Sequence, residues 1–338
     1  MKFLGIVKKQ LKEHGIAEYR ANQIFKDVFH NGIDTYDEMT TLPAYVKDFV
    51  KENVPIYSIV PHTENNSDNG NTHKVLFTLE DGNTIEAVLM RFEDGRNTVC
   101  VSSQVGCAMN CRFCATGTLK FKRNLTYEEI ADQVLYFAVK MKKEGQRVNH
   151  VVYMGMGEPL LNYKQVEKSI DLLRDKTALH IGSRNITVST CGIVPEIKRF
   201  SNDFQQVNLA VSLHAPNDRI RNTIMPVSKQ FPLENLMDAC REYTEKTHRR
   251  ITFEYVMLHD INDGEKEAHE LARLLRGMLC LVNLIPYNET AIKKIQGSSS
   301  KRINTFKSIL ESNGIQVTKR VSLGQDIDAA CGQLARKQ

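Results

Sequence analysis

Apolar residues recur at helical spacing through roughly the first 55 positions, among them Val7, Leu11, Ile24, Phe25, Val28, Val46 and Val50. That periodicity predicts short packed helices. The Asn-rich polar stretch at 61–70 reads as a loop or linker. Residues 74–79 and 84–91 alternate on either side of Glu80-Asp81-Gly82-Asn83, which predicts a hairpin. From Val99 onward apolar runs of strand length alternate with helical patterns. The runs lie at 99–103, 148–154, 185–190, 207–213, 251–257, 280–285 and 315–321. Helical patterns lie at 164–174, 233–247, 265–276 and 301–313, and Thr126 with Glu129 forms a capping box that opens another. Alternation of this kind predicts an α/β fold, a parallel sheet with helices outside, closed as a barrel or wound on both faces. Both forms gather ligands at the C-terminal ends of their strands.

The pattern divides the chain into a helical N-terminal part over 1–60, a linker and hairpin extension over 61–96, and a strand–helix body over 97–338. With 338 residues the chain can bury one large core and a small accessory one. No apolar run approaches the roughly 20 residues that span a bilayer. The opening Met1-Lys2-Phe3-Leu4-Gly5, followed by Lys8, Lys9 and Lys12, lacks the apolar stretch of a signal peptide. The expectation is a cytoplasmic protein without a membrane partner. The net charge of +5 permits a nucleic-acid partner without establishing one. Lys120-Phe121-Lys122-Arg123, His248-Arg249-Arg250, and Lys293, Lys294, Lys301 and Arg302 are either phosphate contacts or solvated faces.

Charge changes the picture less than the cysteines do. Of eight, three stand in Cys107-Ala-Met-Asn-Cys111-Arg-Phe-Cys114. Spacing this tight in a cytosolic chain suggests metal binding or catalysis before disulfides. Three thiolates on one loop can hold three irons of a four-iron cluster and leave the fourth open. The competing reading is structural zinc, which normally takes four closed ligands. No fourth Cys or His stands nearby at a zinc-finger spacing.

The cysteine spacing, with Phe113 before the last Cys, resembles the radical S-adenosylmethionine (SAM) superfamily. Longer motifs narrow the resemblance. Cys100-Val-Ser-Ser-Gln-Val-Gly-Cys107, Phe113-Cys-Ala-Thr-Gly117, Met154-Gly-Met-Gly-Glu-Pro-Leu160, Ser212-Leu-His-Ala215, Phe253-Glu-Tyr255 and Asp326-Ile-Asp-Ala-Ala-Cys-Gly-Gln-Leu334 together resemble the RlmN/Cfr family of radical SAM RNA methyltransferases. The likeness runs from about Lys74 to Leu334, with weaker matches at 19–23 and 39–43. It implies a partial parallel (β/α) barrel of the radical SAM type with a small N-terminal helical domain for RNA recognition. It implies a [4Fe-4S] cluster and two molecules of SAM per turnover. The implied partners are 23S rRNA, methylated on an adenosine of the peptidyl transferase centre, and a reductase such as flavodoxin. The implied form is a monomer. An adenosine beside the tRNA anticodon is a second substrate that the resemblance leaves open. Cfr-type enzymes methylate adenine C8 and confer antibiotic resistance; RlmN-type enzymes methylate C2. Pro159 and Pro286 stand where the C8 branch carries Ala and Arg, so the resemblance leans to C2. From another class, the alternative is a non-catalytic, metal-bearing RNA-binding protein.

The family pattern, carried onto this sequence, assigns roles. Cys107, Cys111 and Cys114 hold the cluster. Cys331 becomes the S-methylcysteine relay, and Cys100 the thiol that resolves a covalent protein–RNA intermediate by forming a disulfide with Cys331. Glu86 is a candidate proton acceptor. Gly157, Glu158, Ser189, Ser212, Leu213, His214 and Asn288 contact SAM. Read without the family, Cys331 and Cys100 are free buried cysteines of the common structural kind. Glu86 is then a solvated strand residue, and the SAM set is a series of strand-end and turn residues. An RNA base must leave its stack to reach a buried cluster, so a flipped or single-stranded base is expected.

Overall fold

The computed structural model describes residues 2–290 and 295–335. Lys293 and Lys294, read above as phosphate contacts or a solvated face, lie outside them. The chain begins with α1 (Lys2–Glu13), α2 (Tyr19–Lys26) and α3 (Ala44–Asn53). Their apolar faces, with Val28 of the turn Asp27–Asn31 after α2, build a small core from Val7, Leu11, Ile24, Val28, Val46 and Val50. That core is completed by Leu135 and Val139, which belong to the larger body.

Three strands follow: β1 (Ile59–Asn66), β2 (Thr72–Leu79) and β3 (Thr84–Arg91), paired antiparallel in order. The second and third are the expected hairpin. The first corrects the reading of 61–70 as a loop. Only Ile59 of β1 is buried and Thr63 half-buried, so the strand carries no apolar alternation for a sequence pattern to detect. Pro61 is tolerated because β1 is an edge strand. The segment 61–96 is therefore an extension of the main sheet.

The body contains β4 (Asn97–Cys100), the short pair β5 (Gln104–Val105) and β6 (Arg123–Asn124), α4 (Tyr127–Lys143), β7 (His150–Tyr153), α5 (Tyr163–Arg174), β8 (Ile186–Thr190), α6 (Val194–Asp203), β9 (Asn208–Ser212), α7 (Asp218–Ile224), α8 (Leu233–Thr247), β10 (Ile251–Met257), α9 (Glu265–Leu274), β11 (Cys280–Pro286), α10 (Ser300–Ser312) and β12 (Gln316–Lys319). One ten-stranded sheet runs β1-β2-β3-β4-β7-β8-β9-β10-β11-β12. Every pairing from β4 to β12 is parallel. This is the α/β partial barrel of the radical SAM fold.

Local chemistry accounts for the pieces. Thr126 Oγ1 accepts from Glu129 N at 3.3 Å while Glu129 Oε2 accepts from Thr126 N at 2.9 Å, so both caps of the box start α4. Ile251-Thr-Phe-Glu-Tyr-Val-Met257 is buried almost throughout, as a strand covered on both faces requires. Glu254 is the charged exception in that run. No described helix is long and apolar enough to cross a membrane.

Candidate functional site

A cavity of about 170 Å³ opens at the C-terminal ends of the parallel strands. Its wall includes Cys107, Cys111 and Cys114 from the loop after β5, with Cys100 at the end of β4 and Cys331 from the segment after β12. None of these cysteines is in a disulfide. Gly157, Glu158, Ser189, Ser212, His214 and Asn288 also reach the wall. Elements far apart in the sequence thus deliver nearly all the expected residues to one space.

Two expected residues are placed differently. Leu213 is fully buried behind the wall and gives its carbonyl to Arg221 Nε at 3.1 Å. Glu86 is also off the wall. It shares a face of β3 with Met90, which does line the cavity, but it is 1% exposed and pairs with Lys74 at 3.3 Å. Lys74 in turn donates to Asp328 O at 3.3 Å, so the carboxylate is covered by an ion pair and by the chain above it.

Backbone geometry shapes the loop that holds Glu158. Gly157 has φ +102°, and a Cβ there would lie 2.6 Å from Gln104 Cβ. The close approach lets Gln104 Oε1 accept from Glu158 N at 2.8 Å. Glu158 Oε2 accepts from Cys191 N at 2.7 Å and Oε1 from Leu160 N at 3.0 Å. Burial pushes its carboxyl up, and these donors oppose the rise. A carboxylate so fixed on a cavity wall is suited to receive an ammonium.

His214 is held as a neutral ring. Its Nδ1 accepts from Val256 N at 3.0 Å, which leaves the proton on Nε2. Burial pulls its pKa down to about 3, and Arg221 adds to the effect. Phe113 packs edge-on against it with centroids 4.8 Å apart, tying the cysteine loop to the end of β9. Asn288 lines the cavity with its amide engaged: Nδ2 donates to Cys331 O at 3.0 Å, and Oδ1 accepts from Gln325 at 2.7 Å. It therefore positions Cys331. Gly332 O accepts from Ala115 N at 2.7 Å and Leu334 O from Thr116 Oγ1 at 2.7 Å, which brings the last described turn onto the cysteine loop.

Sequence reasoning missed Glu254, Arg320 and Cys191 on the wall, and Arg221 behind it. Arg320 lies 3.8 Å from Glu254 and 3.6 Å from Met154 Sδ. Burial pushes the Cys100 thiol up to about 12 against the opposing Arg320 charge. Cys331 is exposed at the cavity wall, and the same Arg320 charge acts to lower its thiol. Arg320 stands near the C-terminal end of the strand predicted over 315–321, so the strand-end rule could have found it. Glu254 was visible as the one acid in an apolar strand. Cys191 directly follows β8, two residues after Ser189, where only its neighbourhood gave a signal.

The basic groups divide. Lys120, Phe121 and Lys122 are exposed beside the cysteine loop, but Arg123 is committed to Asp81 and Glu129. His248-Arg249-Arg250 precedes β10 and so sits at the end of the sheet opposite the cavity. Arg302 is held by Asp260 and Asp263 at 2.7 and 2.9 Å.

The donor set tests the metal. Around one zinc ion, Zn–S bonds of about 2.3 Å bring tetrahedral sulfurs within about 4 Å of each other. Among the described residues, the only three candidate ligands whose atoms all fall within 4.8 Å are His259, Asp260 and Asp263, where the Arg302 guanidinium already sits. Cys107, Cys111 and Cys114 face one cavity, and three thiolates on one loop fit a four-iron cluster with one iron left open. Burial pushes Cys107 up to about 12 and raises Cys111 well above its ordinary value, so both are thiols in the unloaded protein and loading must release protons.

Residues 101–272 match the model of the radical SAM superfamily. The chain is 44% identical over 336 residues to "Probable dual-specificity RNA methyltransferase RlmN" of Clostridium novyi, covering 98% of this chain and 96% of that one. It is 45% identical over 326 residues to the protein of the same name in Alkaliphilus metalliredigens, covering 96% and 91%. The chain belongs to the RlmN family of radical SAM RNA methyltransferases. A crystal structure of a radical SAM methyltransferase from Sphaerobacter thermophilus superposes with a TM-score of 0.94 at 45% identity, over 99% of this chain and 98% of that one. Membership implies a [4Fe-4S] cluster, SAM and an RNA substrate. The thiols and the Glu158 wall fit the first two.

Proposed function

We propose that this RlmN-family chain methylates C2 of a specific adenosine in 23S rRNA, and of the adenosine beside the anticodon in tRNA. The observation that carries the reading is the meeting of two free thiols, Cys331 and Cys100, in the cavity that holds the three-cysteine loop. When bound, the cluster and two molecules of SAM per turnover supply the radical and the methyl carbon. Cys107, Cys111 and Cys114 hold the cluster. Glu158, with Gly157, Ser189, Ser212 and His214, orients the cofactor's polar groups. Cys331 carries the carbon to the base, and the Cys100 thiolate attacks Cys331 sulfur, the S–S bond forming as the sulfur–carbon bond breaks and the product carbon takes up a proton. Arg320 supports both thiols by favouring their thiolates. Glu86, sealed by Lys74, acts at most through that ion pair. The N-terminal helices recognise RNA shape, a flavodoxin-type reductase supplies electrons, and the protein works as a monomer. The preference for C2 over C8 rests on Pro159 and Pro286.

Mass spectrometry of nucleosides from treated rRNA and tRNA tests the product: 2-methyladenosine is expected, and 8-methyladenosine would overturn the regiochemistry. The order of the sulfur steps gives a second test. Cys331→Ala removes the carrier, so neither methylated RNA nor a protein–RNA adduct should form. Cys100→Ala leaves the carrier and removes the resolver, so a slowly migrating, nuclease-sensitive covalent species should accumulate on denaturing gels. Normal turnover by Cys100→Ala would defeat the relay-and-resolve reading.

A further inference from the structure

Arg221 on α7 is 0% exposed. Its Nε donates to Leu213 O at 3.1 Å, and its Nη2 donates to Cys191 O at 2.7 Å and Ser212 O at 3.2 Å. It therefore ties the end of β8 to the end of β9, the two strand ends that bring Ser189, Ser212 and His214 to the cavity. Its Nη1 is buried with no hydrogen-bond partner among the described residues.

Tying carbonyls together needs donors but not a charge, and the charge is conspicuous. Among the described residues no carboxylate forms an ion pair with Arg221. Asp218, the acid whose field reaches it, accepts from Leu233 N at 3.0 Å instead. Cys191, Cys111 and Cys240 also favour its charge, and the neutral His214 ring lies within its field. A buried, unpaired guanidinium is destabilising, because desolvation is not returned by an opposite charge. Cys111 belongs to the loop whose thiols become thiolates on loading. Three thiolates outweigh the positive charge of an oxidised four-iron core, and one-electron reduction adds a further negative charge.

We propose that Arg221 is the buried counter-cation of the cysteine-bound cluster: a positioning residue that joins two strand ends and, through its charge, favours the loaded and the reduced cluster. The proposal rests on the assignment of Cys107, Cys111 and Cys114 as cluster ligands. Cluster potentials respond to nearby charge, hydrogen bonds and solvent, so the role has a signature apart from turnover.

The test compares wild type, Arg221→Gln and Arg221→Lys, each iron-free and anaerobically reconstituted. Gln keeps amide donors for the carbonyls and removes the charge; Lys keeps the charge and loses the fork. The cluster potential, followed by electron paramagnetic resonance, should fall in Arg221→Gln and stay near wild type in Arg221→Lys. A chelator should strip iron from Arg221→Gln faster, on the order of tenfold. Urea unfolding should rank iron-free Arg221→Gln at or above iron-free Arg221→Lys, and loading should reverse that order. Unchanged potential and iron retention in Arg221→Gln would overturn the proposal. So would Gln being the weaker variant with and without iron, or a failure of both variants to fold iron-free, since Arg221 would then serve the fold alone. Wild-type protein that takes up no cluster, or that keeps it after loss of Cys107, Cys111 or Cys114, would overturn the ligand assignment and the proposal with it.

Discussion

At the scale of single residues, burial decides which groups can titrate. His214 stays neutral in the fold because charging it in that environment is costly, while the unfolded chain takes up a proton below about pH 6.5. The folded state then binds fewer protons, so the stability present above that pH is lost as the pH falls toward about 3. Urea unfolding between about pH 7.5 and pH 5 should show a loss of roughly 2 kcal/mol from this residue. His214→Asn, which cannot titrate, should remove that component; an unchanged slope would mean the imidazole is solvated. The same scale shows the limits of sequence reading. The cysteine loop was legible because three ligands share one loop. Arg221 was not, because an arginine in a short amphipathic stretch reads as a solvent-facing cation. Only the packing of α7 against the ends of β8 and β9 buries it.

At the scale of elements, the two-residue pair β5–β6 sets the entry to the cysteine loop. Gly106 has φ +77°, and a Cβ there would stand 2.2 Å from Lys120 O, a backbone atom that cannot give way cheaply. Lys122 N donates to Val105 O at 2.9 Å across the same contact. Gly106→Ala should push the two segments apart at a cost of roughly 1–3 kcal/mol. Its visible effect should be lower iron content after reconstitution, with far-ultraviolet circular dichroism unchanged; full iron content would show the loop to be set elsewhere. Most parallel strands were legible because both faces are covered, which leaves continuous apolar runs. β1 was not legible, because an edge strand with one wet face and a central proline has neither an apolar run nor alternation.

At the scale of the molecule, the strand–helix order was enough to predict a parallel sheet with its site at the strand ends. It could not choose barrel over wound sheet; the motifs made that choice. The helical N-terminal unit is joined to the body through Leu135 and Val139, so removing it uncovers apolar surface on α4. Deleting residues 1–55 together with Leu135→Gln and Val139→Gln should keep iron binding and SAM cleavage while weakening RNA binding. If the helices carry phosphate contacts as proposed, retention measured at several salt concentrations should show a shallower salt slope than the full chain. RNA binding of full strength would remove that unit from recognition.

The segment after β12 has a kinetic consequence. It returns from one edge of the sheet to the opposite hairpin, where Asp326 accepts from Asp68 N at 2.8 Å and Asp328 from Lys74 at 3.3 Å. These two hydrogen bonds span more than 250 positions of chain, where a strand ladder would otherwise run. Such contacts form late in folding and open first in the native state, because they carry a large closure entropy and little cooperative backing. In native-state hydrogen exchange the amides of Asp68 and Ala115 should exchange through a sub-global opening with a small denaturant dependence. The amides of β10 and β11 should exchange only through complete unfolding. The turn that carries Cys331 would then open from the cysteine loop many times over for each occasion on which the protein unfolds.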